Sequence, residues 1–327
     1  MKINPRLQTS LSKAESQRRC FHTTNHCEQQ TLSKLTKSGE VTRVRHGLYA
    51  RTVIWQSLDP NERYLWTIRG LHNWHPEWVF AGISVISACG VEHPYWLHND
   101  DKVFVATDKS SGAFSPKGIQ YIHKQDLLQS RKSNLSITSV SEALCDCATR
   151  YQFHEVLPMF DSALRKHLVA ADDIRRIGEQ SHQASSKVAR LLRYADSLSE
   201  NGGESLCRGI MIEEGFGKPQ LQYEFQIPGT DGKIRTYRVD MLYHPPGNGL
   251  VAIEFDGIDK YTNPTMTGQH TIRQVVHAEK ERENLLLAKT PIRQIVRIDF
   301  KEALQRVPLV KKLTAAGISR MRLSGHQ

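Results

Sequence analysis

The stretch V-A-I-E-F-D-G-I-D-K-Y, residues 251–261, sets three carboxylates and a lysine directly after a run with the character of a buried strand. One buried carboxylate without a partner is costly, and two side by side repel each other. A second strand-like run, residues 238–243, carries Asp240. Side chains alternate along a strand, so Arg238, Asp240 and Leu242 share one face, and Ala252, Glu254 and Asp256 share another. If the two runs pair antiparallel, Asp240 and Glu254 fall on the same side of the sheet. Opposed carboxylates at that range, about 5 Å, destabilise a sheet unless something neutralises them. A divalent cation does so, and Mg²⁺ (or Mn²⁺) takes one or two carboxylates together with water and phosphate. The competing reading of Glu254 and Asp256 is a solvated Asp-Gly turn after a strand.

The surrounding pattern supplies elements to hold these acids. Asn201-Gly202-Gly203 is a break, and E-S-L-C-R-G-I-M-I-E-E-G after it reads as a helix closed by Gly215. Three strands follow, in L-Q-Y-E-F-Q-I, K-I-R-T-Y-R-V-D-M-L-Y and G-L-V-A-I-E-F-D, with Gly- and Pro-rich turns between them. A long helix over about 269–289 precedes the strand I-R-Q-I-V-R-I-D. The order is αβββαβ. Further upstream, T-L-S-K-L-T-K-S is a short helix stopped by Gly39, and E-V-T-R-V-R-H-G-L-Y-A is a basic hairpin turning at His46-Gly47. That hairpin would offer Arg43 and Arg45, with Arg51 beyond them, to phosphate or to a minor groove. Ser139 three residues before Glu142 is a capping box, and residues 181–200 form a helical connector. The expected division is 1–80 as a DNA-binding domain, 81–200 as a mixed α+β middle region with connector, and 201–327 as the αβββαβ domain.

Charge points to the partner class. The chain of 327 residues has a formal charge of +10, which favours polyanions, nucleic acid first. Charge does not separate DNA from RNA. The amino-terminal run lacks the apolar stretch of a signal peptide, and no run of eighteen apolar residues occurs, so a cytoplasmic, non-membrane protein is expected. Six cysteines without framework spacing argue against a disulfide scaffold. Cys20, His22, His26 and Cys27 lack the paired spacing of a zinc knuckle. No Gly-rich phosphate loop, G-x-S-x-G elbow or H-E-x-x-H is present.

Asp240, thirteen residues, then Glu254 resembles the paired acids of the PD-(D/E)xK nuclease superfamily, and the αβββαβ order resembles its restriction-endonuclease-like core. Asp256 stands where many members carry lysine. That feature is shared with very-short-patch-repair endonucleases, whose E-x-D-G-x-x-H pattern has Lys260 here in place of histidine. Glu204 occupies a place where many members carry another acid, and H-A-E-K-E-R-E-N resembles their following charged helix. The front of the chain resembles the winged-helix domain of AbiEi-type antitoxins. The resemblance implies an α/β (mixed α+β) protein with a winged helix-turn-helix and a Mg²⁺-dependent DNA endonuclease domain, serving phage defence or repair. Asp240 and Glu254 would hold the metal, Lys260 would orient water or stabilise charge, and Asp256 would hold Lys260 or a second ion. The alternative is an antitoxin-like transcriptional regulator whose nuclease fold is a catalytically inactive DNA clamp. Both readings leave room for a homo-oligomer.

Overall fold

The computed structural model describes residues 5–109, 116–229, 231–247, 249–256 and 272–321. The chain forms two compact units, 1–150 with 169–189, and 151–168 with 190–327. No helix among the described residues is long and apolar enough to cross a membrane.

The amino-terminal unit opens with α1 (Pro5–Ser16), which starts on proline and buries Leu7, Leu11 and Ala14 on one stripe. After the short β1 (Phe21–His22), Asn25 caps α2 (His26–Lys37) by accepting from the N–H groups of Cys27 and Glu28. That cap starts the helix five residues before the expected Thr31. The hairpin of β2 (Val41–Arg45) and β3 (Leu48–Arg51) turns at Gly47, whose φ of 76° suits glycine. The sheet order is β1-β3-β2, and Leu32, Leu35, Val41 and Tyr49 close a small core over α1.

Two helices follow, α3 (Thr52–Ser57) and α4 (Pro60–Trp74), the second capped by Asp59. Next come β4 (Val79–Phe80), α5 (Ile83–Ala88), β5 (Val103–Thr107), β6 (Ile119–His123), β7 (Ser130–Lys132) and β8 (Leu135–Ile137). They build a mixed five-stranded sheet of order β6-β5-β4-β8-β7. The Ser139–Glu142 capping box forms at the start of α6 (Val140–Arg150), with each side chain bonded to the other's backbone N–H.

The chain then enters the other unit as α7 (Phe153–Arg165), returns as α8 (Ala171–Glu179), and leaves again along α9 (His182–Tyr194). This differs from the division expected at residue 200. Asn201 is no linker: it caps α10 (Gly202–Glu213) by accepting from Glu204 N–H, and both glycines lie in the first helical turn. The carboxy-terminal unit continues with β9 (Gln220–Pro228), β10 (Ile234–Tyr243), β11 (Leu250–Asp256), α11 (Ile272–Lys289), β12 (Ile292–Asp299), α12 (Phe300–Gln305) and α13 (Val307–Ala315). Its sheet runs β12-β11-β10-β9, with β9, β10 and β11 antiparallel and β12 parallel to β11. Phe225, Val239, Leu242, Ala252 and Ile292 pack with Leu286 of α11.

A charged knot holds helices of this unit together. Glu213 takes His154 Nδ1 at 3.0 Å and Arg306 at 2.7 Å, while Glu214 takes Arg306 at 3.0 Å and Arg320 at 3.1 Å. Burial raises the Glu213 carboxyl, but His154 and Arg306 outweigh it and hold it below its ordinary value of 4.5. A depressed acid stabilises the fold above its unfolded value, and that contribution is lost as pH falls through the folded value. Acid titration of stability should therefore show a loss beginning below about pH 4.5 that Glu213→Gln removes. An unchanged acid limb in the variant would count against this role.

Candidate functional site

The β10–β11 ladder pairs Met241 with Ile253, Leu242 with Ala252 and Tyr243 with Val251. One residue further, the same register brings Asp240 opposite Glu254. There the carboxylate replaces the backbone, since Asp240 Oδ2 accepts the Phe255 N–H at 3.0 Å. Glu254 is only 6% exposed, and its Oε1 accepts from Arg282 Nη2 of α11 at 3.1 Å. Arg282 also donates to the Arg238 carbonyl. Like charges are therefore brought together, as the spacing implies, and a guanidinium sits on one of them.

Glu204, on α10, is also buried. It is 7% exposed, and its Oε2 accepts the Glu200 N–H at 3.0 Å and Gln222 Nε2 at 3.4 Å. The close approach needs Gly203, because a Cβ there would meet the Phe255 ring at 2.7 Å. Burial pushes the Cys207 thiol upward, and the Glu204, Asp240 and Glu302 charges push it further. Asp256 is turned to a different partner. Arg297 Nη1 reaches both its oxygens at 3.3 and 3.4 Å, and also Glu279 Oε1 at 3.2 Å, while Arg297 Nη2 approaches Glu283 at 3.7 Å. Burial would lower the Arg297 pKa, but Glu279 and Asp256 raise it more, so this cation is held firmly charged. Lys260 lies outside the described residues.

Two further groups stand at this site, Arg282 from the H-A-E-K-E-R-E-N helix and Gln222 from β9. Arg282 belongs to a helix whose charges resemble any solvated face. Gln222 stands on β9 across from Asp240 with a φ of 49°, rare for a residue with a side chain, and nothing in the strand's alternation marks it.

Asp240 and Glu254 offer hard oxygen donors in the number Mg²⁺ or Mn²⁺ takes from protein, so donor type fits. Among the described residues, no group of three or more His, Cys, Asp and Glu is arranged to hold a metal ion.

The basic residues of the hairpin are unequal. Arg43 is exposed. Arg45 is folded inward, its Nη2 donating to the carbonyls of Asp101 and Gly118. Arg51 pairs with Glu15 at 2.8 Å and reaches Ser12 Oγ at 3.2 Å. On α2, Gln30, Ser33, Lys34 and Lys37 are exposed at spacing i, i+3, i+4 and i+7, a single polar row that the periodicity of the helix could have revealed.

No known family profile matches the chain. It is similar to two proteins of Mycobacterium tuberculosis, "Uncharacterized protein MT2308" of strain CDC 1551 / Oshkosh and "Uncharacterized protein Rv2248" of strain ATCC 25618 / H37Rv. Each is 26% identical over 240 residues, covering 72% of this chain and 81% of the relative.

Proposed function

We propose that the protein binds DNA and that its carboxy-terminal unit hydrolyses DNA phosphodiesters with Mg²⁺ or Mn²⁺. The observation that carries this reading is the placement of Asp240 opposite the buried Glu254, where the ladder ends and a side chain takes over. Asp240 and Glu254 would hold the ion, which when bound lowers the pKa of a water and screens the phosphate. Asp240 is oriented for this by the Phe255 N–H. Arg282 positions Glu254 through the hydrogen bond to its Oε1. Glu204 and Gln222 fix the floor of the site. Asp256 is a structural acid, tied to Arg297.

A second reading is the antitoxin-like clamp without catalysis. What favours it is that guanidinium groups already neutralise Glu254 and Asp256. Plasmid cleavage with Mg²⁺ or Mn²⁺, run beside Asp240→Asn, separates the two.

For DNA binding, Arg43 is the open cation of the hairpin. Arg43→Ala should weaken duplex binding and reduce the salt slope by about 0.9 per lost phosphate contact. Arg45→Ala and Arg51→Ala should instead lower thermal stability and leave the slope nearly unchanged, since their charges are spent inside the unit. Salt titrations in which all three variants behave alike would remove this distinction.

A further inference from the structure

Four rings form a continuous stack in the amino-terminal unit. His22 lies on Trp74 with centroids 4.0 Å apart and planes at 17°. Trp74 lies on His75 at 4.7 Å and 27°, and His75 on Trp78 at 4.2 Å and 7°. All four are partly exposed. A core uses aromatic rings to fill volume and hides them, and its pairs as often meet edge to face. A ladder of parallel rings open to water along its length is a different object. The stack also runs to the hairpin tip, since a Cβ at Gly47 would meet Trp74 at 2.8 and 2.9 Å and His22 at 3.5 Å.

Arginines lie toward the His22 side of the stack, and Glu77 pairs with His75 at 3.3 Å. Arg19 is close enough to His22 to lower its pKa, after burial and His75. Arg69 donates to the Arg18 carbonyl, and the Arg18 side chain is 71% exposed with Glu62 at 3.7 Å. Arg43 and His46 are exposed on the hairpin. Exposed rings and cations are the two parts of a single-strand site: a base has a π-face for the ring, and its phosphate meets the cation.

We propose that the His22–Trp74–His75–Trp78 ladder is a stacking platform for single-stranded DNA, receiving an unpaired base on the outer face of its terminal ring, Trp78. Trp78 has a stacked partner, His75, on one side only among the described residues. This inference rests on the DNA reading but not on catalysis. It adds to the hairpin a second mode of contact, suited to a frayed, nicked or flipped strand beside a duplex.

The test uses the full chain with a fluorescein-labelled oligothymidylate, a duplex of equal length, and a ribo-oligomer of the same sequence. Stacking is worth about 1–3 kcal/mol per base, so Trp78→Ala should weaken single-strand binding by about 5- to 150-fold. Trp78→Phe should restore most of it, and the duplex affinity of both variants should stay within about twofold of wild type, since phosphate contacts carry that binding. Saturating wild type with the oligothymidylate should quench tryptophan emission. Unchanged single-strand affinity in Trp78→Ala overturns the platform while leaving the DNA reading in place. So does an equal loss on single strand and duplex, or a ribo-oligomer bound far more tightly than the DNA. If Trp78→Ala does not fold, absence of wild-type quenching overturns it. A wild type that binds neither form of DNA fails the DNA reading itself, and the platform with it.

Discussion

Asp240→Asn is expected to lower metal-dependent cleavage of plasmid DNA by at least about 10²-fold, the scale on which removal of one electrostatic stabiliser acts. The substitution is chosen for what it keeps. An asparagine carbonyl can still accept the Phe255 N–H that Asp240 Oδ2 accepts at 3.0 Å, so the end of the β10–β11 ladder survives. What disappears is one charge of the two that would hold the ion. DNA binding without metal should be preserved or tightened, because a negative charge facing phosphate is gone. Glu254→Gln should lose cleavage as well, though here Arg282 also loses its charged partner, so a fall in stability should accompany it. Suppose instead that wild type leaves single- and double-stranded DNA intact and binds Mn²⁺ no better than Asp240→Asn. The endonuclease reading then fails and the clamp takes its place.

Asp161→Ala should destabilise the carboxy-terminal unit by about 3–5 kcal/mol, the cost of stranding a buried charge. Asp161 and Arg208 are both 0% exposed and meet at 2.5 Å. Asp161 also accepts the Asp196 N–H at 2.8 Å, and Arg208 donates to the Tyr194 carbonyl at 2.5 Å. The pair thus ties α7 and α10 to the end of α9. Burial pushes the Asp161 carboxyl upward, and Arg208, the Ser205 side chain and the Asp196 N–H offset part of that. Removing both together, as Asp161→Leu with Arg208→Met, should cost far less or even stabilise. All five tryptophans, 55, 66, 74, 78 and 96, lie in the other unit. Circular dichroism in urea is therefore the measurement. A midpoint shift for Asp161→Ala no larger than that of the double variant would show that the pair is not the tie.

Local signals carried most of the element order. Apolar alternation marked β9, β10, β11 and β12, and β10 and β11 form the antiparallel pair that their alternation and the turn between them suit. Pro60, the Ser139–Glu142 box and Gly215 each act where their backbone preferences put them. The juxtaposition of Asp240 and Glu254 was legible because parity is a property of each strand alone. Contacts between distant segments were not. That Arg45 folds onto the carbonyls of residues 101 and 118, or that Arg297 chooses Asp256, depends on packing across 41 to 73 residues, and a basic residue in sequence carries no mark of whether its charge is spent. The division into units departs from the break after residue 200 for a related reason. Asn-Gly-Gly is a break in a list of propensities, yet an asparagine followed by a helix is also a cap, and only the identity of the following turn decides.

The back-and-forth path of the chain has a consequence for synthesis. Residues 151–168 reach the solvent before residues 169–189, which complete the amino-terminal unit. Helix α7 leaves the ribosome with Val156, Leu157, Met159, Phe160 and Ala163, each 0% exposed in the finished fold, and its partner α10 is still about forty residues behind. The nascent chain must therefore hold a sticky helix open while it finishes something else. A gene fragment beginning at codon 201 inherits the opposite fault, since it carries α10 without α7 and presents Ile210, Met211 and their neighbours to water. Such a fragment would collect in inclusion bodies, and any workable truncation has to begin upstream of Tyr151.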